Sequence, residues 1–129
     1  MAGKAKAVST GLDLRRAVAA LGAELGLEVR EEVQVGRRIW GAKRRIDVVL
    51  RDRASRLSLG IECKYQGENG SAEEKIPATI SDIEAWPIRG LVVFDGPGFS
   101  SNMRSYLFST GKAVQFQDLR EWLGLFFGV

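Results

Sequence analysis

The sequence predicts one α/β domain with a mixed central sheet flanked by helices. The chain has 129 residues, of which 45% are hydrophobic and 27% charged, as expected for a single folded domain. An apolar stripe at helical spacing opens the chain, and several short strand-like segments follow it. The predicted order is αβββαβ followed by αβα, with the later strands joined by crossovers. We expect residues 1–10 to be a disordered N-terminus and residues 11–129 to form the domain.

The first half of the chain predicts a helix and then three strands. Apolar residues recur at i, i+3, i+4, i+7 and i+11, which is the stripe of an amphipathic helix ending near Gly26. These residues are Leu14, Ala17, Val18, Leu21 and Leu25. Strands are predicted over residues 28–35, 45–50 and 57–66, because polar turns separate them. Three consecutive strands indicate a meander.

The second half alternates helices and strands. Residues 71–74 have the form of a capping box, and the helical region that follows runs to about Trp86. Pro77 within it must kink the helix or restart it, because proline lacks the N–H for the bond to residue 73. Residues 91–94 form a continuous apolar run, which predicts a central strand buried on both faces. A helix over 100–109, a strand over 113–116 and a last helix from Asp118 complete the domain.

Missing residue types exclude several kinds of site. The chain has one cysteine, Cys63, and no histidine, so Cys/His zinc sites, Ser-His-Asp triads and Cys-His pairs cannot form. Any metal must be bound through oxygen, which favours Mg²⁺ or Mn²⁺. No apolar run approaches the roughly 20 residues of a membrane span. The basic start lacks the apolar segment of a secretory signal, and we expect a cytoplasmic protein.

Charged residues interrupt two of the apolar strands. Asp47 lies in the second strand, and Glu62 and Lys64 lie in the third. Burying an unpaired charge costs several kcal/mol, so these groups need compensation. Strand alternation puts Glu62, Lys64 and Gln66 on one face and Asp47 on the face of its neighbours Arg45 and Val49. Hairpin pairing then brings the Asp47 carboxylate near Glu62, where a metal cation would relieve their repulsion.

An acid, any residue and a lysine is a short pattern that also occurs by chance. Glu73-Glu74-Lys75 fits it as well, but at a polar helix start and outside any apolar strand. Asp47, fourteen intervening residues and Glu62-Cys63-Lys64, within an αβββαβ order, resemble the PD-(D/E)XK nuclease superfamily. The resemblance implies a restriction-endonuclease-like core. The small size is similar to that of archaeal-type Holliday junction resolvases.

The resemblance implies phosphodiester hydrolysis with Mg²⁺. Asp47, Glu62 and the backbone carbonyl of Cys63 would bind the metal, Lys64 would orient or deprotonate the attacking water, and Gln66 would hold the water or a phosphate oxygen. The family usually adds an acid from its first helix. Asp13 and Glu24 are the candidates, about 16 Å apart along the helix axis, and Asp13 is favoured. Ile46 stands where the family has a proline.

Positive charge is concentrated between Arg30 and Arg56. This segment contains nine Lys/Arg residues and four acidic residues, which gives a local net charge of +5 within a chain of net charge +3. Such a segment attracts a polyanion, although arginines that simply solvate the turns would give the same count. The predicted DNA-contacting residues are Arg37, Arg38, Lys43, Arg44 and Arg45, together with Lys75 after the third strand.

These observations predict a metal-dependent DNA endonuclease, with branched DNA as a candidate substrate. The alternative is a nucleic-acid-binding or assembly module that keeps the fold but cleaves weakly or not at all. A plain protein-interaction domain is a third interpretation. The last helix carries more apolar residues than one face can hide, and Leu125, Phe127 and Val129 are therefore expected to cover the partner in a homodimer.

Overall fold

A computed structural model describes residues 8, 10–37, 43–67 and 73–129 of the chain. Within these residues it has a mixed five-stranded sheet and four α-helices, which confirms the predicted α/β class. The helices are α1 (Gly11–Glu24), α2 (Ile76–Glu84), α3 (Ser101–Ser109) and α4 (Leu119–Phe127). The strands are β1 (Glu28–Arg37), β2 (Lys43–Arg51), β3 (Ser58–Tyr65), β4 (Arg89–Asp95) and β5 (Ala113–Gln115).

The sheet keeps the strands in chain order. β1, β2 and β3 pair antiparallel, as the predicted meander requires, while β3, β4 and β5 pair parallel through helical crossovers. The apolar run of β4 is buried on both faces, with no exposed surface at Leu91, Val92, Val93 or Phe94. Helices cover both faces of this strand, which explains why its sequence does not alternate.

Two hydrophobic cores lie on opposite faces of the sheet. One packs α1 and α4 against Val48, Leu50 and Ile61. The other packs α2 and α3 against Ile46, Val92 and Phe94. We call the second side the α2 face of the sheet, because the candidate site also opens on it.

Two paired glycines let Trp86 pack flat on the α2 face. Gly60 of β3 and Gly90 of β4 are register partners, and a Cβ added at either would lie within 3.1 Å of the Trp86 indole. Gly60 would also approach Ile46. The strand that carries Glu62 is therefore held in close contact with the core two residues before the candidate site.

The first helix begins as the apolar stripe predicts. Thr10 caps α1 by accepting a hydrogen bond from the Asp13 N–H at 3.0 Å, and Gly26 follows the helix with a positive φ of 81°. Val8 packs against the α1 core. Residues 8 and 10 are thus ordered parts of the domain, and the rest of the expected disordered segment lies outside the described residues.

The second helix differs from its prediction at its start. A short 3₁₀ turn over Glu73–Lys75 precedes α2, which begins at Ile76, so Pro77 occupies the first turn, where its missing N–H is not needed. Of the two predicted outcomes, a kink or a restart of the helix at Pro77, the structure shows the restart. Ser71 and Ala72 of the predicted capping box lie outside the described residues. Glu73 binds elsewhere: its carboxylate accepts hydrogen bonds from the N–H and hydroxyl of Ser100, the N-cap of α3.

The last helix corrects part of the surface prediction. Phe127 is buried in the core between α1 and α4, so it cannot cover a partner. Leu125 and Val129 are 82% and 54% exposed. Among the described residues, no helix is long and apolar enough to cross a membrane.

Candidate active site

The β1–β2 hairpin is irregular at Asp47. Glu31 pairs with Val48 and Val33 pairs with Ile46, whereas Glu32 and Asp47, which lie between these two pairs, are not partners. Glu32 has a positive φ of 51°, which is uncommon for a residue with a Cβ. The pairing of β2 with β3 also stops short of Asp47, because its last pair is Val48 opposite Ile61. β2 and β3 therefore separate at the Asp47 carboxylate.

This irregularity breaks the alternation of side chains along β2. Val48 packs on the α1 side of the sheet, whereas Ile46 packs on the α2 face although it lies two residues away. Val49 also packs on the α2 face. The prediction that Asp47 shares one face with both Arg45 and Val49 is therefore wrong, because the backbone changes its orientation at Asp47.

The Asp47 carboxylate crosses the gap to β3. Its Oδ2 accepts a hydrogen bond from the backbone N–H of Cys63 at 2.8 Å. This bond replaces the backbone pairing that the two strands lose at this point. It fixes one carboxylate oxygen beside the peptide that follows Glu62, and it gives Asp47 a structural role in joining β2 to β3.

Glu62 and Lys64 lie side by side on the α2 face of β3. The Lys64 Nζ is 3.4 Å from the Glu62 Oε2, and both side chains are mostly buried, 32% and 21% exposed respectively. Asp82 of α2 is close enough to act on Glu62 electrostatically. Its carboxylate is held by Arg44 of β2, whose Nε lies 3.0 Å from the Asp82 Oδ1.

Both acids are harder to ionise than usual. Burial, and next the charge of Asp47, raise the pKa of Glu62 to about 7 against the opposing effect of Lys64. Burial also raises the pKa of Asp47, while the Cys63 N–H, Lys64 and Arg15 lower it. An added cation between the acids would favour both charged forms.

Cys63 contributes its backbone and not its thiol. The side chain is buried in the α1 core, on the face opposite Glu62. Burial and the two neighbouring carboxylates raise the pKa of the thiol strongly, so it stays protonated. A buried neutral thiol is chemically inert.

The α1 residue at the site is Arg15. Its guanidinium lies 3.1 Å from Glu31 and 3.5 Å from Glu32, and its charge lowers the pKa of Asp47. Asp13 and Glu24 are only about 20° apart around the helix, whereas Arg15 is about 200° from Asp13. The structure places Asp13 and Glu24 along a groove with Phe116 and Arg120, and Glu24 binds Arg120 at 2.7 Å.

Gln66 lies just beyond β3 and is 7% exposed. Its N–H donates to the Asp95 carbonyl at 3.1 Å, and its carbonyl accepts from the Gly98 N–H at 2.8 Å. Gly96, with a φ of 105°, passes so close to the Gln66 backbone that a Cβ there would collide with it. The loop after β4 therefore locks Gln66 at the end of the Glu62 strand.

The predicted DNA-contacting residues fall into three groups. Arg44 is partly buried and is paired with Asp82. Arg45 and Lys75 are exposed. The backbones of Arg37 and Lys43 are in β1 and β2, but their side chains, and all of Arg38, lie outside the described part of the structure.

Three residues of this site escaped the sequence analysis. Arg15, Glu32 and Asp82 come from α1, β1 and α2, and each lies at a polar position that spacing alone could not distinguish from solvated surface. The adjacent Glu31-Glu32 pair was at most a weak signal, because both side chains are exposed and resemble ordinary solvated acids.

Together these features define an α/β domain with an acidic pair and a lysine where two central strands part. The sequence model of the PD-(D/E)XK nuclease superfamily domain matches residues 4–121, so the chain belongs to that superfamily. No curated protein matches the chain.

A solved structure described as "Protein of Unknown Function AF1548" has a similar fold. It is 22% identical, with a TM-score of 0.54, and the match covers 79% of this chain. The match covers 56% of that protein, so the chain spans little more than half of its length. This likeness shows the fold alone.

Proposed function

We propose that the protein is an Mg²⁺-dependent endonuclease that hydrolyses DNA phosphodiester bonds. The observation that carries the proposal is the convergence of Asp47 and Glu62 at the parting of β2 and β3, with Lys64 beside them. Superfamily membership supports the reaction class. Mutual repulsion between two mostly buried acids is unfavourable for stability alone, which favours a role in binding a cation.

The donor set fits a hard divalent cation. Asp47, Glu62 and the Cys63 carbonyl offer oxygen atoms, and Mg²⁺ is commonly held by one or two carboxylates with water filling the other positions. Across the described residues, no group of three or more His, Cys, Asp or Glu side chains is placed to hold a metal. We leave Asp13 out of the proposed ligands because its side of α1 turns towards Phe116 and Arg120. When bound, the cation would supply Lewis-acid catalysis.

The remaining residues would position the reactants. Lys64 would orient the attacking water and hold positive charge beside the phosphate, since its Nζ is already within 3.4 Å of Glu62. Gln66, fixed by its backbone bonds to Asp95 and Gly98, would hold the water or a phosphate oxygen. Arg15 would keep Glu31 and Glu32 from adding further negative charge beside Asp47.

The proposal extends to assembly and location. The protein would act as a homodimer on branched DNA in the cytoplasm. The exposed Leu125 and Val129 at the end of α4 are the apolar residues that support a dimer surface. Sedimentation of the wild type against Leu125→Asp tests the dimer, because a buried aspartate would shift the equilibrium to monomer.

A cleavage assay tests the enzyme function. Supercoiled, linear and four-way-junction DNA would be incubated with Mg²⁺ and the wild type, Asp47→Asn, Lys64→Ala or Lys112→Ala. Asparagine at position 47 keeps an acceptor for the Cys63 N–H, so it removes charge with little effect on the fold. Lys112→Ala is the matched control, because Lys112 pairs with Glu84 away from the site.

We expect Mg²⁺-dependent cleavage by the wild type and the control, and loss in both site variants. Faster cleavage of the junction than of linear DNA would support structure selectivity. Binding without cleavage by the wild type would instead support the alternative, a nucleic-acid-binding or assembly module with the nuclease fold.

A further inference from the structure

We propose that a basic groove on the α2 face of the β1–β3 meander holds the DNA backbone next to the acidic pair, an inference that rests on the proposed function. The groove has a volume of about 350 Å³. Its lining residues are Glu28, Arg30, Val33, Val49, Arg51, Arg56 and Ser58. We call it the basic groove.

Strand register places this groove directly alongside the candidate active site. Arg51 lies between its partners Glu28 and Ser58, and the partners Val49 and Gly60 come two residues nearer the acidic pair. Two residues further still, the same strands carry Asp47 and Glu62. At about 3.4 Å per residue, Arg51 is about 14 Å from Asp47 along β2, and Arg30 is level with Val49, about 7 Å away.

The groove and Glu62 open on the same side of the sheet. Val49 packs on the α2 face, and Gly60 on that face contacts Trp86. Glu62 follows Gly60 by two residues and therefore points the same way. A strand of DNA lying in the groove would pass the acidic pair without crossing the sheet edge.

The arginines of the groove are available for a partner. Within the described residues, Arg30, Arg51 and Arg56 are exposed and take part in no ion pair, in contrast to Arg15, Arg44 and Arg120, which are all held by carboxylates. The one acid in the lining, Glu28, is bound to Arg53 at 3.0 Å. The groove is therefore strongly positive, and its half-buried floor of Val33 and Val49 is apolar.

These features favour a nucleic-acid backbone over an acidic protein segment. Both would satisfy three arginines, but only a nucleic acid would also present a phosphodiester to Asp47 and Glu62. Arginine binds phosphate oxygens in bidentate pairs, and such contacts position a duplex without reading its sequence. The groove would thus set affinity and register and leave sequence preference unchanged.

The test measures DNA affinity in variants of the groove. Binding of a fluorescent duplex would be followed by anisotropy at several salt concentrations, with Ca²⁺ present to neutralise the carboxylates. The variants are Arg30→Gln, Arg51→Gln, Arg56→Gln and Glu28→Gln. Arg16→Gln is the matched control. Arg16 is an exposed arginine on α1, and it lies outside the basic groove, in the separate groove on the opposite side of the domain that Asp13 and Arg120 also line.

Each groove arginine variant should weaken binding by roughly three- to tenfold and reduce the slope of log K against log salt by about 1. Arg16→Gln should change affinity less than about twofold, and Glu28→Gln should tighten binding, because it removes the only acid of the lining. Equal weakening by Arg16→Gln and Arg51→Gln would overturn the groove, since net charge alone would explain both.

Failure of the groove and failure of the enzyme proposal are separable. If the wild type cleaves DNA and the groove variants bind DNA as tightly as the wild type does, only the basic groove is overturned. If the groove variants bind DNA more weakly but the wild type does not cleave it, only the endonuclease proposal is overturned and the basic groove is supported. No DNA binding by the wild type overturns both. Groove-sensitive binding of polyglutamate, with DNA binding unaffected, would identify an acidic protein segment as the partner and overturn the inference.

Discussion

The β1–β3 meander carries two regions of opposite charge, and their contrast explains how the site is organised. At the parting of β2 and β3, the acids Asp47 and Glu62 are mostly buried, repel each other and have raised pKa values. Two to four residues away, Arg30 and Arg51 are exposed and unpaired among the described residues. Burial would make the acids suitable for a small cation, whereas exposure would make the arginines suitable for a long, hydrated polyanion.

The contrast also separates two physical roles. In the proposed enzyme, charge at the acidic pair would act on the reacting atoms in a partly desolvated place, where electrostatic interactions are strong. Charge in the basic groove acts through water and is screened by salt. Substitutions in the two regions should therefore differ in size, in pH dependence and in salt dependence.

The largest expected effect is on the rate of cleavage. Asp47→Asn should reduce kcat by roughly 10²-fold or more, as the loss of a preorganised electrostatic group commonly does, whereas Arg51→Gln should leave kcat within about twofold and raise KM. Steady-state kinetics on a labelled duplex at fixed salt would measure both. A fall in kcat for Arg51→Gln equal to that for Asp47→Asn would erase the distinction between the regions.

The next effect is on stability and depends on pH. The pKa of Glu62 is about 7 in the folded protein and 4.5 is its ordinary value, so the unfolded state loses the proton first as pH rises. Stability of the metal-free protein therefore falls between about pH 4.5 and 7 and stays low above pH 7. Glu62→Gln removes this cost and should raise the free energy of unfolding by up to about 3 kcal/mol at pH 8.

Urea unfolding in EDTA at pH 5 and pH 8 would check this expectation. The gain from Glu62→Gln should be small at pH 5, because the wild-type carboxyl is already largely protonated in the fold. Glu28→Gln, an exposed acid of the basic groove, serves as the matched control and should show no comparable pH dependence. An equal gain at both pH values would mean that repulsion with Asp47 does not destabilise the site.

The smallest expected effects concern exposed ion pairs. Arg53→Gln breaks the pair with Glu28 at the end of the basic groove, where Arg53 is 81% exposed. Because such surface pairs contribute about 0 to 1 kcal/mol, the unfolding free energy should change by less than about 1 kcal/mol. Arg15→Gln should cost more, because Arg15 is 24% exposed and bridges Glu31 and Glu32. Thermal unfolding of the two variants at pH 7 would rank them.

Sequence patterns predicted the elements because each pattern reflects a local rule. The stripe of α1, the apolar run of β4 and the helix over 100–109 were all predicted from spacing and residue type, and the acids in β2 and β3 were identified as a site because apolar strands rarely carry charge. These signals concern residues that are close in the chain or that share a strand face.

What the sequence could not supply depends on long-range packing. Strict alternation fails at Asp47 because the backbone turns over where Glu32 takes a positive φ, and no residue pattern marks that change. Helical spacing placed Asp13 and Glu24 on one side of α1 but could not tell which side meets β1, so Arg15 was missed. Likewise, the arginines of the basic groove come from β1, β2 and the turn before β3, and they are separated by up to 26 positions, from Arg30 to Arg56.

The central claim is that Asp47 and Glu62 hold one divalent cation between them. Calorimetric titration of the metal-free protein with Mn²⁺ at pH 8 tests it most directly, using the wild type, Asp47→Asn, Glu62→Gln and the control Glu28→Gln. The account requires one site in the wild type and in the control, and binding weakened by at least about tenfold in both site variants. Undiminished Mn²⁺ binding in Asp47→Asn and Glu62→Gln, or no binding by the wild type, would contradict it.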